Sequence, residues 1–311
     1  MSKRNLLAIF LILGFAVSLF NIHINLSADD NKVWISPPAE TIASPVRITL
    51  IPNGKLLVTD PQARKVYLVD SENREIQKSL AINGRPMGIA FHKDYVYVGN
   101  ETAAAVEIYE ATRRGDYRKA KTIPNILLPT DIEIDGPRRR VFVVDSKAKK
   151  VKIFTPKGHP IFEFPSGGDP ALQFPTGIAL DRVNQKVFVS DYGDMTQDIY
   201  ASINIYDYAG KLLSTISGKG SGMLATTKFS RPQGIASDNS GNIFVVDCYS
   251  SEIMVFDVAT GSLLKTIGGF GSEPGKMMLP LDIALNNTTM DIFVTNNRAS
   301  RIEIFREGGR L

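Results

Sequence analysis

A guanidinium and two carboxylates, Arg47, Asp131 and Asp282, each stand two residues after a proline and one before an isoleucine. Carboxylates brought to one place can hold a cation such as calcium with waters, or can bond backbone amides and a nearby arginine. A second group, Asp191, Tyr192, Asp194 and Tyr200, falls in one stretch dense in turn residues. The remaining inventory for chemistry is small. Cys248 is the single cysteine, which excludes an internal disulfide and any multi-cysteine metal site. The histidines are His23, His92 and His159, too few and too scattered for a three-histidine metal site, and none stands near Cys248 to activate it. No catalytic residue and no metal ligand set is assigned. The two candidate groups are binding groups.

The elements that position them repeat. Six segments share proline, one variable residue, a small or charged residue, then isoleucine, starting at Pro45, Pro86, Pro129, Pro175, Pro232 and Pro280. Some eight to twelve residues after each comes an apolar run ending in Asp60, Asn100, Asp145, Asp191, Asp247 or Asn296. Successive prolines are 41, 43, 46, 57 and 48 residues apart. Runs such as Val141-Phe142-Val143-Val144 alternate with period two and are separated by turn residues, which specifies strands. Four strands in a repeat of 40 to 50 residues predict an all-β fold, a six-bladed β-propeller of four-stranded antiparallel blades. The last unit runs out after its third strand, so Val33-Trp34-Ile35 is expected to supply the missing one and close the ring. In a six-membered ring Asp131 and Asp282 lie three units apart and face each other across the axis, with Arg47 at the same level. The sixfold Asp or Asn set at the second-strand ends reads as turn caps that accept backbone N–H groups.

At Phe174-Pro175-Thr176-Gly177-Ile178-Ala179-Leu180-Asp181, at Arg231-Pro232-Gln233-Gly234-Ile235-Ala236 and at Thr266-Ile267-Gly268-Gly269-Phe270-Gly271 the chain resembles the NHL-repeat family. The resemblance covers residues 33–306 and is loosest in the first unit, where Arg47 replaces the usual glycine. It implies a six-bladed propeller. Members bind proteins or RNA or act as extracellular sensors, and a few relatives are lyases or lactonases, so the fold assigns no activity. The function expected is an exported binding or scaffold module for a protein, peptide or glycan. The alternative is a metal-dependent lyase or lactonase-like enzyme.

The 57-residue unit enlarges two connections, residues 192–201 and 217–231, the second with Gly218, Gly220, Ser221 and Gly222 as hinges. Long loops in compact domains are disproportionately functional, so the site is placed on Asp191, Tyr192, Asp194 and Tyr200, with Arg47, Asp131 and Asp282 as the channel candidate. No cofactor is expected beyond a calcium ion that the channel pair could hold. The basic runs are Lys147, Lys149 and Lys150, Arg138 to Arg140, and the set Arg113, Arg114, Arg118, Lys119 and Lys121; the three lysines lack interleaved aromatics, the runs read as solvated strand ends, and export removes the natural substrate, so no nucleic-acid partner is expected.

Apolar residues make up 43% and charged residues 22% of the 311, and the formal charge is +4, of which Lys3 and Arg4 supply two. Those two precede an apolar run over residues 6–20, the pattern of a secretory signal. As a helix it rises about 22 Å against a hydrocarbon core of roughly 30 Å, so residues 1–28 are expected to be a cleaved signal, or else an uncleaved anchor. Either places the body outside the cytoplasm, periplasmic or extracellular, with membrane contact only through an uncleaved leader. A monomer is expected.

Overall fold

The structure, a computed structural model, describes residues 41–113, 116–167, 170–219 and 229–306. The leader over 1–28, the closing strand over 33–35 and the hinge residues Gly220, Ser221 and Gly222 lie outside the described residues.

Each proline phrase starts an inner strand, because a residue with no N–H suits the first place of a strand and not its interior. Blade 1 is β1 (Ile48–Ile51), β2 (Lys55–Asp60), β3 (Lys65–Asp70) and β4 (Glu75–Ala81). Blade 2 is β5 (Pro86–His92), β6 (Tyr95–Asn100), β7 (Ala105–Ala111) and β8 (Tyr117–Ile123). Blade 3 is β9 (Pro129–Asp135), β10 (Arg140–Asp145), β11 (Lys150–Phe154) and β12 (Pro160–Phe164). Blade 4 is β13 (Pro175–Asp181), β14 (Lys186–Asp191), β15 (Ser202–Asp207) and β16 (Leu212–Ser217). Blade 5 is β17 (Pro232–Ser237), β18 (Asn242–Asp247), β19 (Glu252–Asp257) and β20 (Leu263–Gly268), and blade 6 is β21 (Pro280–Leu285), β22 (Ile292–Asn296) and β23 (Arg301–Phe305). Strands pair in chain order within each blade, so blade 6 has three strands among the described residues. The result is the expected all-β, six-bladed propeller.

Packing between blades holds the ring. Six hydrophobic clusters of described residues occur, one at each interface between neighbours. Phe142, Phe164 and Tyr206 lie between blades 3 and 4, and Phe188, Phe229 and Phe256 between blades 4 and 5. One cluster joins Ile42, Leu56 and Tyr67 to Phe293, Ile302 and Ile304, so blades 6 and 1 seal against each other. Each such side chain contributes about 1.5–3 kcal/mol by leaving water.

The outer strands β4 and β8 are exposed and charged, which blunts edges that would otherwise recruit further strands. On β8, Arg118 pairs with Glu110 at 2.7 Å and Lys119 pairs with Glu107. Arg138 to Arg140 and Lys147 to Lys150 lie at opposite ends of β10, so these basic runs do not share a face. Because strands alternate in direction, the connections from each outer strand to the next inner strand emerge with the second-to-third turns on one face, called here the loop face. Among the described residues no helix is long and apolar enough to cross a membrane.

Candidate functional site

The loop face is built by a device repeated in every blade. From blade 2 to blade 6 the proline of each phrase pairs in register with the Asp or Asn that ends the second strand, as in Pro175 with Asp191 and Pro232 with Asp247. The buried Asp191 carboxylate accepts N–H bonds from Gln173 at 2.6 Å and Phe174 at 2.9 Å, just before the proline, and from Gly193 at 2.8 Å, just after itself. Asp247 does the same with Ser230, Arg231, Tyr249 and Ser250. Asp60 and Asp145 bind Ala43, Ser44 and Ala63, and Leu127, Leu128 and Ala148. Each carboxylate therefore ties the incoming connection to the outgoing turn.

The two asparagines of this set stand where a carboxylate would meet another. Asn100 donates to Glu107 at 3.2 Å and Asn296 to Glu303 at 3.1 Å. In blade 3 the equivalent partner of Asp145 is Lys152, at 2.8 Å. Burial pushes the Glu107 carboxyl up, but bonds from Lys119, Tyr109 and Asn100 outweigh it and hold it below its ordinary range.

The ties at Asp191 and Asp247 assemble a stacked row across blades 3 to 5. Phe174 and Tyr192 stack in parallel, centroids 4.8 Å apart and planes 2° from parallel. The Lys149 ammonium stands 5.6 Å from the Phe174 ring centre. The Arg231 guanidinium lies 4.7 Å from the centre of Tyr192 and 5.3 Å from that of Tyr249, to whose hydroxyl its Nη1 donates at 2.8 Å. Each cation over a ring face contributes roughly 0.5–2 kcal/mol, so the row is rigid before any partner arrives. Around it Phe174, Met195, Ile199, Tyr249, Phe270 and Leu279 expose large apolar surface, Tyr249 at 64% and Phe270 at 75%.

A family model for the NHL repeat matches residues 229–256, a stretch that begins just before Arg231 and ends in β19. The chain carries an NHL repeat there and folds as a six-bladed propeller. No curated protein matches it in sequence. Among solved structures, this propeller is similar to the hydrazine synthase of Kuenenia stuttgartiensis, with 13% identity, 88% of this chain and 78% of that chain covered, and a TM-score of 0.63. It is also similar to a structural genomics protein of unknown function from Bacteroides thetaiotaomicron, with 15% identity, 91% and 74% covered, and a TM-score of 0.69. These likenesses carry the fold alone.

The residues predicted from the NHL sequence fall in two places. Tyr192 stands inside the stacked row, beside Asp191, whose carboxylate is consumed by its backbone bonds. Asp194 caps a short turn over Met195–Gln197, accepting from the Thr196 amide at 3.0 Å and Gln197 Nε2 at 2.7 Å, and the Thr196 bonds lead in holding it below its ordinary range. Gly193 permits that loop, since its φ is +70° and a Cβ there would stand 2.3 Å from the Ile199 carbonyl. Tyr200 lies under Lys219, whose ammonium is 5.0 Å from the ring centre.

The other predicted residues meet at the axis. Arg47 is buried and spans the channel: Nη1 bonds Asp282 at 3.0 Å and lies 3.8 Å from Asp131, Nε bonds the Thr130 carbonyl at 2.8 Å, and Nη2 bonds the Thr176 carbonyl. Each carboxylate also accepts an amide from the next blade, Asp131 from Ile178 at 2.9 Å and Asp282 from Ile48 at 2.8 Å. Gly234 makes room for this, because a Cβ there would sit 2.2 Å from Asp282 Oδ1. Burial raises both carboxyls above their ordinary range against the pull of Arg47. Beyond this plug a cavity of about 260 Å³ runs along the inner strands past Glu133, Arg182 and Asn287. Among the described residues no three His, Cys, Asp or Glu side chains gather in a way that could hold a metal ion.

Phe174, Arg231, Tyr249 and Lys149 escaped the sequence-based choice of site residues. The signal was present in register rather than in type: Phe174 and Arg231 are the residues immediately before a proline, and Tyr249 is the second residue after an Asp tie.

Proposed function

We propose that this NHL propeller is a binding module rather than a catalyst, and that its loop face across blades 3 to 6 docks a protein partner outside the cytoplasm. The observation that carries the reading is the row Lys149, Phe174, Tyr192, Arg231 and Tyr249, held in place before binding by Asp191 and Asp247. Tyrosine and arginine in a preformed cluster ringed by apolar contacts are the composition of interface hot spots. The aliphatic members of the rim, Met195, Ile199 and Leu279, suit protein side chains better than sugar rings. Export is supported by the apolar run over residues 6–20 behind Lys3 and Arg4.

The test is capture from the native envelope fraction by the full chain and by a Tyr249→Ala, Phe270→Ala variant of unchanged melting temperature. Proteins retained by the first and lost by the second support the reading. Identical retention by both would sink it.

A further inference from the structure

The stacked row also specifies what chemistry it receives, an inference that rests on the docking face just proposed. Among the described residues the Arg231 side chain makes one hydrogen bond, from Nη1 to the Tyr249 hydroxyl, and forms no ion pair with a carboxylate. Its Nε and Nη2 share the opposite edge of the guanidinium, the parallel fork that fits both oxygens of a carboxylate. Three acids close to this row are engaged elsewhere. Asp191 and Asp247 are buried against backbone amides, and Asp194 is bonded to Thr196 and Gln197. Among the described residues Lys149 and Lys219 form no ion pair either, resting on Gln173 with Phe174 and on Tyr200. A cationic strip framed by rings, on a face whose connections also expose Met195, Ile199, Phe270 and Leu279, is complementary to an acidic segment with apolar flanks.

We infer that the partner contributes an extended acidic peptide segment, one carboxylate of which is received by the free edge of Arg231 between Tyr192 and Tyr249. Two other ligand classes fit the face less well. Nucleobases need open ring faces, and at the centre of the row the Phe174 and Tyr192 faces are taken by each other and by the flanking cations, which leaves the outlying Tyr249 and Phe270. An acidic polysaccharide matches the charge but not the aliphatic border.

The experiment is selection of displayed random peptides on the full chain. Selected peptides are then synthesised and titrated by fluorescence anisotropy against wild type, Arg231→Gln, Arg231→Lys and Tyr249→Ala, each first checked for an unchanged melting temperature. Expected are peptides rich in Asp and Glu beside aliphatic residues. Arg231→Gln should weaken them about tenfold or more, and Arg231→Lys should restore only part of the loss, because lysine keeps the charge and loses the fork. Peptides that respond to Tyr249→Ala but carry no acidic preference, or are indifferent to Arg231→Gln, would overturn the carboxylate inference and leave the docking face standing. Indifference to both variants, or no selected peptide at all, would overturn the docking face as well. Oligogalacturonate or oligouridylate binding more tightly than the best acidic peptide would equally reject the acidic segment.

Discussion

Replacing Arg47 by methionine keeps an unbranched stem as far as the Nε position and removes the one cation of the channel plug. Asp131 and Asp282 would then stay buried on the axis with only backbone amides as partners. Stranding one partner of a buried pair costs about 3–5 kcal/mol, and a body of this size loses about 2–3 °C of Tm per kcal/mol, so a fall of roughly 6–15 °C is expected at pH 8. The loss depends on pH in a fixed direction. Both carboxyls already sit above their ordinary range through burial, and Arg47 opposes that rise, so its removal raises them further. A carboxyl with a higher pKa folded than unfolded binds more protons in the folded state, so stability falls as pH climbs from the ordinary aspartate range towards the folded value. The deficit of Arg47→Met should therefore be smaller at pH 5 than at pH 8. Adding Asp131→Asn and Asp282→Asn should flatten that dependence. Thermal melts at the two pH values decide it. A wild-type Tm, or a deficit equal or larger at pH 5, would refute the account of the plug.

Asn100→Asp would set a carboxylate against buried Glu107 and should cost about 2–4 kcal/mol at pH 7, shrinking towards pH 4 as one acid takes a proton. Urea unfolding with and without Glu107→Gln checks it, since the double variant should recover most of the loss. Cys248 is buried, and burial pushes its thiol up to about 11 against the pull of Arg231. It should resist iodoacetamide at pH 7.5 in the folded chain and react at once in denaturant, by mass spectrometry.

The ring was legible because its grammar is local. Proline can begin a strand but not continue one, and Asp or Asn can close a strand by catching backbone amides, so the six units announce their own boundaries. The channel trio was legible for the same reason, since one repeated position fixes the level at which Arg47, Asp131 and Asp282 meet. The stacked row was only partly legible. Tyr192 is found from the enlarged fourth unit, but Phe174 and Arg231 are 57 residues apart and are joined only through Tyr192, which lies against both, and no short-range pattern displays that. Asp191 was legible by position but carries a structural tie, because an acid at a strand end meets backbone amides before it meets a ligand. The exchange of Asp for Asn beside Glu107 and Glu303 was visible all along as a glutamate seven residues after each asparagine. It acquires meaning only when the third strand folds back against the second.

The aspartate ties under the loop face draw on main-chain N–H groups, which every residue but proline carries. The side chains of Leu128, Phe174 and Arg231, whose own amides bond Asp145, Asp191 and Asp247, can therefore be exchanged without breaking the ties beneath them, as characters on a dial whose mechanism ignores what is engraved there. Specificity on such a surface can drift one substitution at a time, and a designer could rewrite the same three places to address the propeller to a new target.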